Sequence, residues 1–295
     1  MERPIPETML EAVRQFADPQ VAHDFFVGIR WPSGVACPRA CGSVKVAYMA
    51  KRRRWCCNDC KGQFTAKVGT IFEDSPIGFD KWLPAIWLIA SNRNGISSCE
   101  LARALKVQQR TAWFMLHRIR EAMRNESYEK MRGPVEADET YVGGKYKAQR
   151  DHHGRALRKG PNHNKTTVMG IVQRGGGIRA FVVPSTQGLT LRERLRQNVE
   201  PGEVVYTDSA AAYGRLSNEY VRGRIHTNSI EGFWSVFKRT IRGTYIAPRP
   251  SHLQAYLEEQ VFRFNERENG DGARFVKAIG GTEGKRLTYA GLAKG

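Results

Sequence analysis

No run of 18 apolar residues occurs in this 295-residue chain, which argues against a membrane-spanning helix. Residues 1–15 lack the apolar stretch of a signal peptide and carry charge, Pro4 and Pro6 instead, so export is not expected. Lipidation motifs and a basic amphipathic helix are missing, which argues against a membrane-surface protein. Internal repeats are missing too. Cysteine is absent beyond Cys99, and five of the six cysteines fall between Cys37 and Cys60. A disulfide-stapled secreted scaffold would spread them, so the cluster points to a reduced compartment and a metal. Acids are the scarce charge. There are 29 against 47 lysines and arginines, for a net charge of +18 and a pI near 9.9. That excess favours a polyanionic partner, because each neutralised phosphate releases a condensed counterion.

What is present begins with the cysteines. Cys37-x3-Cys41 and Cys57-x2-Cys60 are separated by 15 residues. Two pairs on two tight knuckles suit a tetrahedral zinc ribbon, and Cys41-Gly42 supplies the glycine such a knuckle favours. Cys56 competes with Cys57 for the third ligand position. So small a ribbon cannot bury its own core, and zinc would supply its folding energy. Between the knuckles runs Lys51-Arg52-Arg53-Arg54-Trp55. Arg52, Arg53 and Arg54 form a basic tip suited to DNA phosphate, with a solvated hairpin tip as the plainer reading.

Residues 1–30 read as helical, anchored by Phe16, Val21, Phe25 and Phe26, and 44–49 as strand. Residues 79–124 read as two or three helices. Ser97 followed by Glu100 has capping-box spacing. Leu101, Leu105, Val107, Ala112, Leu116 and Ile119 then fit two helices across a turn at 106–108, as in a helix-turn-helix. The second helix would turn Gln108, Gln109, Arg110, Thr111 and Arg118 outward, of which Gln109, Arg110 and Arg118 are taken as DNA contacts.

After Gly133-Pro134 the pattern changes. Segments 135–141, 167–173, 178–183 and 203–206 read as strands, with a hairpin across Arg174-Gly175-Gly176-Gly177. A short strand at 224–226 and helices at 189–199, 228–240 and 253–265 complete the pattern. The tail after Gly270 shows little. Val135 to Tyr141 holds Asp138 inside an apolar strand, where Asp is depleted and needs a reason. Asp208 ends a later strand, and Glu231 opens a helix with Lys238 two turns on along the same face. Taken singly, Asp208 could cap a helix and Glu231 could pair with Asn228 in a capping box. Their order fits an RNase H-like core, in which three carboxylates converge and can hold two Mg²⁺ or Mn²⁺ ions. His152, His153 and His163 lie in a basic loop and read as solvated or phosphate-contacting.

The chain resembles the bacterial insertion-sequence transposases that join an N-terminal zinc ribbon to a DDE nuclease domain. The carriers are Arg30-Trp31-Pro32, Phe64, and Gly69-Thr70-Ile71-Phe72. Beyond them come Val135 through Lys145, Tyr206-Thr207-Asp208, His226 through Trp234, and Lys238-Arg239. A further carrier is the cluster Tyr256, Arg263, Asn265 and Arg267. The resemblance implies that Asp138, Asp208 and Glu231 are catalytic and bind the divalent ions, with Lys238 as the associated basic residue. Some relatives use Asn as the third catalytic residue, which makes Asn228 a competitor of Glu231. Only 23 positions separate Asp208 from Glu231, so no subdomain is inserted there.

The expected architecture is α+β and multidomain: helices and zinc ribbon over 1–70, a helix-turn-helix segment over 71–130, an RNase H-like mixed α/β nuclease domain over 131–270, and a tail over 271–295. The expected protein is cytoplasmic and nucleoid-associated, and acts as a homo-oligomer on double-stranded DNA. It would bind terminal inverted repeats, then cleave and transfer strands. The rivals are a catalytically inactive zinc-dependent DNA-binding regulator derived from such an enzyme, and a resolvase-like or repair nuclease of the same fold.

Overall fold

The computed structural model describes residues 4–39, 41–124, 129–143, 165–207, 221–223, 228–246 and 248–293. Asp208, His152, His153 and His163 lie outside the described residues. The chain divides into two compact units: Met1–Arg124 with Glu266–Gly295, and Asn125–Asn265.

The first unit opens with α1 (Met9–Phe16) and α2 (Pro19–Arg30). The Asp18 side chain caps α2, and Pro19 at the first helical position needs no N–H partner. A three-stranded antiparallel sheet follows, made of β1 (Val46–Met49), β2 (Arg54–Cys57) and β3 (Gln63–Phe64). Helix α3 (Phe79–Ser91) is apolar on nearly every side and is buried at Trp82, Leu83, Ile86, Trp87 and Ile89, so it is the unit's central helix. The Ser97–Glu100 capping box starts α4 (Ser98–Leu105), a cap worth about 1 kcal/mol. Lys106 takes a left-handed conformation (φ 50°) to end it, and α5 (Gln109–Met123) begins three residues later.

The second unit is a five-stranded mixed sheet in the order β6-β5-β4-β7-β8. The strands are β4 (Val135–Val142), β5 (Thr166–Gln173), β6 (Ile178–Val183), β7 (Val204–Tyr206) and β8 (Val221–Gly223). The first three form an antiparallel meander, whereas β7 runs parallel to β4, and β8 parallel to β7. The short strand expected at 224–226 falls outside the described residues. Alternation along β4 splits its side chains between two cores. Val135 and Ala137 pack with α6 (Gly188–Asn198) through Leu191 and Leu195. Val142 packs with α7 (Asn228–Gly243) and α8 (Leu253–Asn265). Strand β6 is an edge, and α8 closes it. Gln254 accepts from the Val182 N–H at 2.8 Å, and Asn265 from the Ile178 N–H at 2.7 Å.

The last segment corrects two expectations. Residues 271–295 are not a patternless tail. They include α9 (Asp271–Gly280) and α10 (Tyr289–Ala293), and return to the first unit. Phe275 is fully buried against Phe16, Phe25 and Trp87. Ile71 donates to the Thr282 carbonyl, and Arg30 reaches Glu283. Nor is there a domain boundary at residue 70, because Phe26 stacks on Phe79 at 4.5 Å and meets Phe72 edge-on. Among the described residues no helix is long and apolar enough to cross a membrane.

Candidate active site and metal centre

Cys37, Cys41, Cys57 and Cys60 bring their sulfurs within 4.8 Å of one another, the one group of potential metal ligands found among the described residues. Cys37 and Cys60 sulfurs lie 3.9 Å apart, and those of Cys41 and Cys57 3.7 Å. Zinc–sulfur bonds of about 2.3 Å in a tetrahedron require sulfur separations of about 3.8 Å, which these two pairs match. Backbone N–H groups of Cys60 and Asp59 draw the Cys57 thiol down to about 7, whereas neighbouring thiols hold those of Cys41 and Cys60 up. Strand alternation explains why Cys57 and not Cys56 joins the sulfur cluster: adjacent residues of β2 face opposite ways. Trp55 and Cys57 are buried on one face, whereas the Cys56 sulfur lies near the carbonyls of Cys57 and Lys61.

The tip between β1 and β2 turns through Arg53 in a left-handed conformation (φ 47°) and leaves Arg52, Arg53 and Arg54 exposed. On α5, Gln109 and Arg110 are exposed in the first turn. Gln109 donates to the Ser98 hydroxyl, and Arg110 stacks on Tyr289 at 4.7 Å while donating to its hydroxyl. Arg118 departs from expectation. It is buried, donates to the carbonyls of Leu287 and Glu73, and lies over the Phe114 ring. Burial pushes its pKa down, with Asp74 opposing. Arg118 is therefore a structural tie to the returning C-terminal segment and not an outward DNA contact.

In the second unit the carboxylates meet the first turns of α7. Asp138 pairs with Gly170 across β4 and β5, and its Oδ2 accepts from the Trp234 indole N–H at 2.9 Å. Glu231 lies exposed in the same stretch of helix, one turn before Trp234, with Asn228 exposed at its start and Lys238 half-buried further on. Two residues before Asp138 on the same face of β4 is Glu136, whose side chain is 3% exposed. Glu136 Oε2 accepts from the backbone N–H groups of Ser229 and Ile230 at 3.0 and 3.1 Å. Its Oε1 accepts from Arg174 Nε at 3.0 Å, and the Arg174 guanidinium lies 3.8 Å from the centre of the Tyr206 ring. The start of α7 is thus capped from a strand, at the positive end of the helix dipole.

Two family models match this chain. The transposase zinc-ribbon domain matches residues 18–63, and the ISXO2-like transposase domain matches residues 130–265. The chain belongs to the transposases, with an ISXO2-like domain match over residues 130–265. It is 28% identical over 280 residues to an uncharacterized protein in transposable element ISH50 of Halobacterium salinarum, covering 85% of this chain and 94% of that one. It is 31% identical over 103 residues to an uncharacterized transposase-like protein of Haemophilus influenzae, covering 31% of this chain and 83% of the relative. A solved pre-cleavage Mos1 transpososome aligns with 66% of this chain and 76% of its own at 14% identity, but its TM-score of 0.27 is too low to compare the folds. Membership makes this transposase a polynucleotidyl transferase in general class, with a zinc ribbon in its N-terminal unit.

The sequence pattern gave Glu136, Arg174, Trp234 and Gly170 no role in the site. One signal for Glu136 was available: it is an acid in the same apolar strand as Asp138, on the same face by a period of two. Gly170 is present for space. A Cβ there would stand 2.7 Å from Trp234 Cζ2 and 2.9 Å from Ile230 Cδ1. Gly170→Ala is expected to destabilise the second unit by about 1–3 kcal/mol, the usual cost of overpacking. Thermal unfolding against wild type measures this, and an unchanged transition would mean that α7 has room to move off the sheet.

Proposed function

We propose that this transposase binds the terminal inverted repeats of its element, frees a 3′-hydroxyl by hydrolysis at the element end, and joins that hydroxyl to target DNA by direct transesterification. The observation that carries the reading is the tie of Asp138 to Trp234, which brings the strand acid to the helix turn that also holds Glu231. Asp208 follows Tyr206 by two residues as Asp138 follows Glu136, and Tyr206 and Glu136 are partners across β4 and β7. The order of strands and helices supports an RNase H-like core. Asp138, Asp208 and Glu231 are assigned as the catalytic carboxylates, Lys238 as a phosphate contact beside them, and Asn228 as the alternative third residue. Carboxylate oxygens suit hard cations. Mg²⁺ or Mn²⁺, when bound, would activate the attacking oxygen and stabilise the leaving one.

Helices α4 and α5 are assigned as a helix-turn-helix, with Gln109 and Arg110 presented to DNA. Arg52, Arg53 and Arg54 are assigned to phosphate, and the protein is assigned to act as a homo-oligomer on double-stranded DNA. Replacing all three arginines by Ala is expected to lower the slope of log affinity against log salt by about 0.9 for each phosphate no longer neutralised. A titration of repeat binding from low to moderate salt reads this, and an unchanged slope would remove the tip from the interface. The chemistry is tested by incubating the full chain with an end-labelled repeat duplex and Mg²⁺ or Mn²⁺. Nicking at the repeat end, and tighter binding to the repeat than to random duplex at the same salt, is the expected result. Repeat binding without nicking would favour an inactive regulator, and nicking without repeat preference a structure-selective nuclease.

A further inference from the structure

We infer that Glu136 is a positioning residue that locks the acid-bearing elements of the active site together, an inference that rests on the catalytic reading of Asp138 and Glu231. Its carboxylate is nearly excluded from water. A buried carboxylate is tolerated only when charge and hydrogen bonds compensate it. Here the compensation comes from the N–H groups of Ser229 and Ile230 on α7 and from Arg174. Arg174 in turn stacks on Tyr206, the last residue of β7. One side chain on β4 thereby holds the helix that carries Glu231, and through Arg174 it holds the strand that leads to Asp208.

The lock has a second point. Ser229 and Ile230 fix the start of α7, and Trp234, one turn on, fixes its rotation through Asp138. Gly170 leaves space for that indole. Two attachments separated by a turn restrain both the sliding and the rolling of the helix. Any shift of its first turn would strand a buried carboxylate. Both Glu136 oxygens are engaged by Arg174, Ser229 and Ile230. Glu136 sets where Glu231 stands relative to Asp138.

Glu136→Gln tests the inference in the full chain. The amide keeps shape and one acceptor but loses the charge that holds Arg174 and two helix N–H groups. Repeat binding is expected to stay near wild type, and the unfolding transition to move down while the variant stays folded at the assay temperature, because the amide NH2 now faces a buried donor. The Mn²⁺ concentration for half-maximal nicking, and the Mn²⁺ affinity measured by electron paramagnetic resonance without DNA, are expected to weaken by about 10- to 100-fold, as for other residues that orient metal ligands. Should Glu136→Gln not fold, Arg174→Lys replaces it, since it keeps the charge and loses the Nε bond and the stacking. A smaller shift in the same direction is expected. Wild-type Mn²⁺ affinity and requirement in the folded variant, beside an inactive Glu231→Gln, would overturn the positioning role and leave the catalytic reading standing. Full nicking by Glu231→Gln would instead overturn the catalytic reading itself.

Discussion

Asp138→Ala is expected to reduce repeat-end cleavage and strand transfer by about 10³-fold or more, equivalent to about 4 kcal/mol of transition-state stabilisation. Repeat binding should stay nearly intact, because the ribbon and α5 belong to the other compact unit. Asp138 is half-buried on an apolar strand and spends one oxygen on Trp234. Alanine removes the carboxylate and also leaves the indole N–H without this acceptor, at a further cost of about 1–3 kcal/mol if no water replaces it. Asp138→Asn separates the two effects. Its amide oxygen can still accept from Trp234, but the anionic charge is gone. Loss of cleavage in both variants, with a normal unfolding transition in the Asn variant, assigns the loss to chemistry. Strand transfer surviving in either would sink the assignment of Asp138.

Zinc removal should have the other large effect. Strands β1, β2 and β3 span four, four and two residues, too short to form a stable sheet alone. Structural zinc contributes on the order of 10–16 kcal/mol in comparable small sites. Chelation or Cys57→Ser is expected to make backbone amides over residues 37–64 exchange rapidly and to abolish repeat binding. Exchange over 79–123 should change much less, since α3 buries its own apolar surface against α1, α2 and α9. Cys56→Ser should retain one zinc per chain by elemental analysis and bind repeat DNA as wild type. The reverse pattern, zinc lost in Cys56→Ser and kept in Cys57→Ser, would reassign the third ligand.

Much of the fold was legible because its signals are local. The 3.6-residue pattern located α3 to α5, and the turn at 106–108 falls between Leu105 and Gln109 as the capping box and apolar spacing indicate. Apolar runs separated by Arg174-Gly175-Gly176-Gly177 marked the β5–β6 hairpin. Asp138 stood out because an acid in an apolar strand violates a local preference. The same logic covered Glu136, yet its role was hidden, since its partners Arg174, Ser229 and Ile230 lie 38, 93 and 94 residues away. Arg118 misled for the same reason. Its helix position looked outward until a segment 169 residues distant covered it.

The sequence by itself determined most of the order of strands and helices between residues 79 and 265, the four-cysteine spacing of the ribbon, the basic surplus and the outlying acid at Asp138. Each is written in a window of a few dozen residues, where backbone periodicity and side-chain chemistry act directly. Tertiary structure alone decided that Cys57 and not Cys56 joins the sulfur cluster, the burial of Arg118, the return of residues 266–293 to the N-terminal unit, and the capping of α7 by a strand carboxylate. The first depended on which face of β2 turned inward, and the others on contacts between distant segments. Such contacts form only when buried surface and matched hydrogen bonds outweigh the cost of ordering two pieces of chain, and no local pattern records that balance.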